Sequence, residues 1–568
     1  MRKFFRTLLT CALLTVVLTV SAHAAGDTLK VGLYYGSDAL FSANLQNYRG
    51  SGYQLGWFDE GSREFVAVAS LTEEKISMTA DGNIYISGGS YYRSKPSKLD
   101  STVGGYHVQI DQSFAAFEEA KYVADQFRSG FVAYLGGEYV VRVSNFPTRE
   151  EAEINAAAYT TYTWTDIYGS VHGFEGSVVS PSSTAVTITV TTTDKILFEF
   201  DCYGARSLGI MPVNWEGKAL TWFKGYKWYG GFEYRRSTGG NISVINVVNS
   251  DDYVKGVLPY EMSPKWPLEA LKAQAVCART YAQWQSKHDK YGFDVCRTTD
   301  CQVYNGTNQA SSLTDQAAEE TSGMVITYNG SLAETYYYSS NGGASENSEN
   351  VWSAKLPYLR GKADPYEATI SIPSYSYTQT YTFDQLTQVL NSKGYSIGQV
   401  KEVYVSATTE VGNVREVTFV GSNKALKVTG EKCKTIFYTT LFGETKSLKS
   451  MRFTINGGTG SGQYYVNSGS TIPALSGIFT ISGKGSINSY SGDSAGTYVI
   501  TSAGVQAMES KGGASSNASA NSITITGTGS GHNVGMSQYG AKAMAEMGYD
   551  YTDILSFYFT GIDLERVG

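Results

Sequence analysis

Cysteine and positive charge are both scarce in this 568-residue chain. It contains six cysteines, and Cys11 lies in an N-terminal segment that we expect to be removed. The other five are an odd number, so no disulfide framework is indicated. The formal net charge is -7. That charge argues against a nucleic-acid partner, because binding a phosphate backbone requires clustered Lys and Arg.

Long apolar runs are absent after the N-terminus. Residues 1–24 combine a basic start (MRKFFR), an apolar run and an Ala-His-Ala cleavage signal, which is the pattern of a secretory signal peptide. An uncleaved membrane anchor is the alternative, because the run approaches the length that spans a bilayer. In either case we expect an extracytoplasmic protein.

Glycine and tyrosine are abundant, with 61 and 43 residues. A chain of this length is expected to form two or three domains. Tyrosine-rich surfaces suit carbohydrate, since the ring stacks on a sugar face while the hydroxyl bonds to polar groups, although core packing explains many tyrosines equally well.

An internal echo occupies residues 104–168. Two segments, YHVQIDQSFAAFEEAKYVADQF and YVVRVSNFPTREEAEINAAAYTTY, each give an alternating strand, a Phe-bearing turn and an acidic helix. The segment resembles a SPOR domain, which binds glycan strands of the bacterial cell wall; a generic ferredoxin-like domain is the alternative. Residues 25–103 are predicted to be strand-rich, without a further assignment.

A long mixed α/β region runs from residue 185 to 568, so the predicted fold class is α+β. Residues 454–528 are poor in charge and rich in Gly, Ser and Thr, with short alternating stretches such as GIFTISG. A flexible linker is one interpretation, but the β-prone pieces favour a β-rich insertion.

The most informative segment is 252–281, where one carboxylate, Glu261, precedes a predicted helix. Leu268, Leu271, Ala275 and Ala278 recur at helical spacing after a first-turn proline. The apolar and aromatic neighbours of Glu261 are expected to raise its pKa, and a protonated glutamate near neutral pH is what a general acid requires.

Arg279 falls on or near the apolar face of the same helix. A guanidinium there needs an anion. The spacing alone leaves two alternatives for Arg279. It forms a structural ion pair with Glu269 or another carboxylate of the core, or it has a role in the functional site.

Four further motifs accompany Glu261: CRTTDCQVY (296–304), YYYSSNGG (336–343), WSAKLPYLR (352–360) and GHNVGMSQYGA (531–541). In this order they resemble the SpoIID/LytB family of bacterial cell-wall proteins, over residues 185–566. The resemblance implies a mixed α/β catalytic domain and a lytic transglycosylase that acts on peptidoglycan glycan strands.

The family's functional residues carry over position by position. The resemblance makes Glu261 the catalytic residue, with Arg279, Tyr358 and Arg360 important for activity; Arg360 stands where the family usually has Lys, which changes its hydrogen-bonding geometry. The substrate-binding candidates are Gln302, Tyr304, Ser339, Ser340, Asn341, His532, Ser537 and Gln538. Asn533 replaces a usual glycine, and Asn tolerates a left-handed backbone better than most residues. The alternative to substrate binding by SSNGG and GHNVGMSQ is that these motifs only form tight loops.

Cys296 and Cys301 have three interpretations. In a secreted protein the pair could close a local disulfide. Family members with Cys followed five residues later by His bind zinc there, and two thiolates remain competent ligands although a structural site usually has four. Free packing thiols are the third possibility. His532 is read as a loop-ordering or substrate-contacting residue, because no paired metal spacing surrounds it.

The resemblance therefore predicts an exported enzyme that needs no cofactor for its chemistry and has a possible structural zinc. Its partners would be peptidoglycan glycan strands and a cell-wall amidase or membrane-anchored protein. The rival interpretation is a LytB-type protein that enhances an amidase without cleaving glycan.

Overall fold

The structure is a computed structural model that describes residues 28–214, 217–455 and 521–567, together with the backbone of short strands between 456 and 507. The predicted signal segment 1–24 lies outside the described residues. The chain divides into two compact units, Met1–Thr335 with Asp563–Gly568, and Tyr336–Ile562. Among the described residues, no helix has the length and apolar character needed to cross a membrane.

Two large sheets organise the first unit. The seven-stranded sheet has the order Val295–Cys296, Thr28–Tyr34, Asn241–Asn249, Gly231–Ser237, Leu208–Pro212, Tyr53–Phe58 and Phe65–Leu71. The ten-stranded sheet has the order Gly176–Val179, Tyr106–Phe114, Glu138–Phe146, Gly130–Leu135, Ile196–Asp201, Val186–Val190, Lys75–Ala80, Ser42–Asn47, Thr221–Phe223 and Tyr226–Trp228.

Smaller elements complete the first unit. Its small sheets pair Thr163–Thr165 with Val171–Gly173, Ser331–Leu332 with Met324–Tyr328 and Asp563–Arg566, and Ser90–Tyr92 with Ile84–Ser87 and Ser101–Val103. Its α-helices are Phe117–Ala124, Arg149–Tyr159, Ser250–Glu261, Leu268–Trp284 and Ser312–Glu320.

The predicted elements of segment 104–168 form, but the segment is not a sheet of its own. Strand Gly130–Leu135 pairs in parallel with Ile196–Asp201, and Tyr106–Phe114 pairs with Gly176–Val179. Left alone, Gly130–Leu135 would be a hydrophobic edge strand, which proteins avoid by pairing or covering it. The boundaries predicted at 104 and 168 therefore do not separate sheets, and a ferredoxin-like domain is not evident.

The second unit is built around two three-stranded sheets. One has the order Ser376–Thr382, Ser522–Thr528 and Phe453–Asn456; the other Val400–Thr408, Val414–Gly421 and Ala425–Thr429; and a short parallel pair joins Tyr337–Tyr338 to Met536–Ser537. Its α-helices are Ser348–Val351, Phe383–Ser392, Lys432–Thr435, Gln538–Glu546 and Tyr551–Tyr558. Its core includes Tyr381, Leu386, Phe419, Phe437 and Ile525.

Most of the predicted insertion at 454–528 lies outside the described residues. The pieces whose backbone is described are hairpins: Tyr464–Val466 with Ser470–Ile472, Ile478–Ile481 with Ile487–Tyr490, and Tyr498–Thr501 with Gly504–Ala507. The two ends of the segment, Phe453–Asn456 and Ser522–Thr528, pair with each other.

Candidate functional site

Glu261 is the last residue of the helix Ser250–Glu261, which we call the Glu261 helix. The sequence pattern placed this glutamate just before the predicted helix and did not predict a helix at 250–261. Gly256 and Pro259 are unfavourable in a helix interior. The helix continues through both. A Cβ on residue 256 would stand 2.3 Å from the ring of Tyr304, so glycine permits that close packing.

Residues 302–304, which follow the candidate metal ligand Cys301, form hydrogen bonds with the Glu261 helix. The backbone N–H of Val303 donates to Glu261 Oε1 at 2.8 Å. The hydroxyl of Tyr253, within the helix, donates to Gln302 Oε1 at 2.8 Å. One oxygen of the half-buried Glu261 side chain is thereby fixed by backbone.

Gln302 and Tyr304 were predicted to contact substrate, and both are buried, each with 1% of its surface exposed. The Tyr304 hydroxyl donates to Asn246 Oδ1 at 2.7 Å. The Gln302 amide donates to the carbonyl of Ala278 at 3.4 Å. In this conformation the two side chains position the loop beside Glu261, and contact with substrate stays a prediction.

Arg279 is fully buried in the predicted helix, which spans Leu268–Trp284. Its Nε and Nη2 donate to Asp251 Oδ1 at 2.9 and 2.6 Å. Asp251 lies in the first turn of the Glu261 helix. Burial acts to raise the pKa of Asp251, but Arg279 and the Ser322 hydroxyl bring it below its ordinary value. The core carboxylate that pairs with Arg279 is thus Asp251, whereas Glu269 is bound by Lys272.

Cys296 and Cys301 are free thiols that lie with His288 and Asp300. One possible ligand atom from each of the four lies within 4.8 Å of the other three. His288 is 6% exposed, and its buried Nε2 lies 3.4 Å from Asp300 Oδ2. Because zinc takes four S, N or O ligands in a tetrahedron, these four residues fit that metal better than the two cysteines alone.

The two thiols differ in their proton affinity. A hydrogen bond from Cys301 lowers the pKa of Cys296 to about 4, and the same contact raises the pKa of Cys301. The structure does not contain the disulfide that the sequence left open. One thiolate is therefore already favoured in this cluster.

In the second unit, the SSNGG loop wraps a buried carboxylate that sequence reasoning missed. Glu367 accepts from the Ser340 hydroxyl at 2.8 Å and from the N–H groups of Asn341 and Gly342 at 2.7 and 3.0 Å. It also accepts a short hydrogen bond from the Ser537 hydroxyl. Glu367 thus joins SSNGG to GHNVGMSQ, and no sequence motif marks it.

Asn533 has the left-handed backbone that its position requires, with φ of 68°. Its side-chain amide donates to the carbonyl oxygens of Asn341 and Ala344 at 2.7 and 3.1 Å. Asn533 therefore adopts the backbone conformation expected of the glycine that it replaces in the GHNVGMSQ loop. Asn533 also adds two hydrogen bonds that glycine cannot make.

His532 packs among aromatic rings. Its ring centroid lies 5.1 Å from those of Tyr338 and Trp352. The ring accepts from the backbone N–H of Val534 through Nδ1 at 3.1 Å, and burial lowers the pKa of His532 to about 3. The imidazole is therefore neutral, which fits a packing or sugar-contacting role and not a general base near pH 7.

The remaining predicted residues of the second unit are held by protein groups. Arg360 makes a two-point ion pair with Glu349 at 2.8 and 2.6 Å, which lowers the pKa of Glu349 to about 2. Tyr358 is 7% exposed. The carbonyl of Ser339 accepts from the Tyr539 N–H at 3.0 Å.

The predicted residues thus fall into two groups. Glu261, Arg279, Cys296, Cys301, Gln302 and Tyr304 lie in the first unit, and Ser339, Ser340, Asn341, Tyr358, Arg360, His532, Ser537 and Gln538 in the second. The sequence missed Asp251, His288, Asp300 and Glu367 as partners of these residues. Of the four, Asp300 alone carried a signal, because it stands inside the CRTTDCQVY motif.

Residues 238–328 match the family model described as SpoIID, Stage II sporulation protein. An uncharacterized protein of Brachyspira hyodysenteriae is 30% identical over 64% of this chain and 77% of its own length. The amidase enhancer of Bacillus subtilis is 36% identical over 55% of this chain, although the match spans only 40% of that protein. Stage II sporulation protein D of Bacillus subtilis is 28% identical over 57% of this chain and 77% of its length.

The family match covers Glu261, Arg279, Cys296, Cys301, Gln302 and Tyr304, and therefore the first-unit group of site residues. The longer alignments extend the likeness over more than half of the chain. The chain belongs to the SpoIID family.

Proposed function

We propose that this protein is an exported lytic transglycosylase that cleaves the MurNAc-GlcNAc bond of peptidoglycan and leaves 1,6-anhydro-MurNAc ends. The observation that carries the proposal is the carboxylate of Glu261, which ends a helix and is oriented by the Val303 N–H. A fixed carboxylate at a partly exposed position is what proton transfer to a bound sugar requires.

One carboxylate is enough for this reaction. Glycosidases use a second carboxylate to activate water or to form a covalent intermediate. Here the MurNAc C6 hydroxyl is the nucleophile. Glu261 protonates the leaving glycosidic oxygen, the C1–O bond breaks as O6 bonds to C1, and the Glu261 carboxylate takes the hydroxyl proton. No water is consumed, and Glu261 ends the cycle protonated again.

A structural zinc would support this carboxylate indirectly. His288, Cys296, Asp300 and Cys301 would hold it, and the buried Nε2 of His288, which lies 3.4 Å from Asp300 Oδ2, fits a ligand role. The metal would fix the loop that begins at Cys301. That loop carries the Val303 N–H that orients Glu261.

Glycan binding is proposed for two regions. Trp352, Tyr338 and His532 form an aromatic group in the second unit, and aromatic faces stack on sugars. The second region is segment 104–168, whose strands belong to the ten-stranded sheet. Its glycan-binding role is proposed from its SPOR-like sequence pattern. An amidase or a membrane-anchored protein is the proposed partner.

The second candidate function is enhancement of an amidase without glycan cleavage. The 36% identity to the amidase enhancer favours it. The two functions differ in the products, because an enhancer leaves the glycan chains intact and only accelerates the release of stem peptides by the amidase.

The deciding experiment is product analysis of peptidoglycan, both intact and stripped of stem peptides, after incubation with the purified full chain. We expect mass spectrometry to find 1,6-anhydro ends. The Glu261→Gln variant should form them roughly 10² to 10⁴-fold more slowly, which is the usual contribution of general acid-base catalysis.

The matched control is Glu320→Gln, since Glu320 is a surface glutamate on the helix Ser312–Glu320. It should cleave at the wild-type rate. Intact glycan chains with wild-type protein, together with faster peptide release when an amidase is added, would establish the enhancer function instead. A folded Glu261→Gln protein with full cleavage would exclude the proposed mechanism.

A further inference from the structure

A second cluster of metal-ligand side chains lies in the ten-stranded sheet. His107 is on strand Tyr106–Phe114, Glu199 is on strand Ile196–Asp201, and Asp81 directly follows strand Lys75–Ala80. One possible ligand atom from each lies within 4.8 Å of the other two. Neither the family model, which matches residues 238–328, nor the predicted catalytic residues include this cluster.

The hydrogen bond at one ring nitrogen sets the tautomer of His107. Nδ1 lies 2.8 Å from the carbonyl oxygen of Ser144, and since a carbonyl only accepts, Nδ1 carries the proton. With the proton of the neutral ring on Nδ1, the lone pair lies on Nε2. A backbone carbonyl on the other nitrogen is the usual support of a metal-binding histidine.

No residue in the described part of the chain donates a hydrogen bond to Nε2. It is buried without a hydrogen-bond partner, in a side chain that is 1% exposed. Its neighbour at 3.9 Å is Glu199 Oε2, which is also buried without a partner in a side chain that is fully buried. Two buried acceptors that face each other without a donor are unfavourable, so a cation, a proton or a water molecule between them is favoured.

The local charges also favour a cation. Arg142 binds the other oxygen of Glu199, and Asp81 Oδ2 accepts from the Ser182 N–H at 2.6 Å. Because Arg142 binds only that one oxygen of Glu199, the oxygen that faces His107 is the one without a partner among the described residues.

We propose that His107 Nε2, Glu199 Oε2 and the Asp81 carboxylate bind one divalent transition-metal cation, with zinc as the best fit. One imidazole and two carboxylates are ligands that zinc accepts, and three protein ligands leave one position for water. The cation would link three parts of the ten-stranded sheet that are far apart in sequence, so it stabilises the first unit.

The test measures zinc in a chain that lacks the other proposed metal site. Full-length protein carrying Cys296→Ser and Cys301→Ser is stripped with EDTA, dialysed against zinc chloride and analysed for bound metal. We expect one zinc per chain and a higher Tm than in the EDTA-treated protein. Adding His107→Gln or Asp81→Asn should remove both the zinc and the rise in Tm.

The matched control is His172→Gln, because His172 bonds to Asp166 at the surface of the same unit. It should keep the zinc. Circular dichroism reports folding, and if His107→Gln does not fold, the milder Asp81→Asn decides. A folded Cys296→Ser, Cys301→Ser chain without zinc, or folded His107→Gln and Asp81→Asn variants that retain zinc, would overturn the proposal and leave a proton or a water molecule between the two acceptors.

If the cysteine variants do not fold, cobalt replaces zinc in the wild-type chain. Cobalt bound by thiolates shows an intense sulfur-to-metal charge-transfer band, and cobalt bound by nitrogen and oxygen does not. The proposal is supported if the wild-type chain binds two cobalt equivalents and the His107→Gln variant binds one, with the charge-transfer band unchanged. A single equivalent that carries the band rules it out.

Discussion

Arg279 and Asp251 form an ion pair that joins the helix after Glu261 to the first turn of the Glu261 helix. The guanidinium is fully buried, and it also donates to the carbonyl of Met324 at 3.1 Å. Through this pair, Arg279 helps to set where the Glu261 helix begins.

We expect Arg279→Ala to destabilise the protein by about 3–5 kcal/mol, because it leaves the carboxylate of Asp251 without its buried partner. Chemical denaturation measures this change. If Arg279 acts by positioning, Asp251→Asn should lower kcat for glycan cleavage as Arg279→Ala does. A loss of cleavage in a stable Arg279→Lys protein, with Asp251→Asn fully active, would instead assign Arg279 a direct contact with substrate.

The metal cluster predicts a link between Cys296 and catalysis. Cys296→Ser should lower the zinc that copurifies with the chain, weaken the order of the loop at Val303 and reduce cleavage through Glu261. Elemental analysis, a count of free thiols and the cleavage rate test this together. Cys433→Ser is the control, because Cys433 is a buried thiol of the second unit that donates to the carbonyl of Val428 at 3.3 Å. Zinc bound equally well by folded Cys296→Ser protein would contradict the assignment.

The ion pair between Arg360 and Glu349 predicts a pH-dependent contribution to stability. Its hydrogen bonds lower the pKa of Glu349 from 4.5 to about 2. A lowered folded-state pKa stabilises above pH 4.5, and this contribution is lost as pH falls toward 2. With the Glu349 side chain 28% exposed, we expect about 1 kcal/mol.

Urea unfolding of the wild-type and Glu349→Gln proteins at several pH values measures the contribution of the Arg360–Glu349 pair to the free energy of unfolding. The difference in free energy of unfolding should be largest near pH 6 and shrink below pH 4.5. Glu410→Gln is the control, because Glu410 is an exposed residue of the same unit that forms no ion pair with the described residues. A difference that stays constant from pH 6 to pH 3 would show that the pair does not stabilise the fold.

The buried Glu367 predicts a large effect from a small change. In Glu367→Gln, one carboxylate oxygen becomes an amide NH₂ donor. It faces either the Asn341 N–H and the Ser537 hydroxyl, at Oε1, or the Gly342 N–H and the Ser340 hydroxyl, at Oε2. We expect a loss of about 3 kcal/mol and faster hydrogen exchange at the amides of Asn341 and Gly342. Glu444→Gln, at an exposed position, should change neither. Unchanged exchange in the Glu367 variant would mean that water replaces the carboxylate in the loop.

The sequence predicted those elements whose pattern is local. The helix Leu268–Trp284 and the strands and helices of segment 104–168 formed where periodicity placed them. The Glu261 helix was missed because Tyr304, distant in sequence, packs on Gly256, and a single sequence does not reveal such a contact.

The partners of the site residues were less accessible to sequence reasoning. Cys296 and Cys301 were marked by their spacing, but His288 reaches them only through the fold. The pairing of strand Gly130–Leu135 with Ile196–Asp201, outside segment 104–168, was not predicted for the same kind of reason, since such pairing leaves no local signal. The periodicity of apolar residues indicates which face of an element is buried, whereas the residues that this face contacts depend on the topology of the fold.

The pairing of strand Thr28–Tyr34 has a consequence for how the protein is made. This strand lies between Asn241–Asn249 and Val295–Cys296, and the Lys30 N–H donates to the Asp294 side chain, 264 positions later. Contacts so distant in sequence form slowly, because closing the loop costs entropy before any contact is gained. The first strand therefore has no partner in the seven-stranded sheet until residues 241–249 have emerged from the ribosome, and a chain crossing a membrane in an unfolded state would complete this sheet only on the far side.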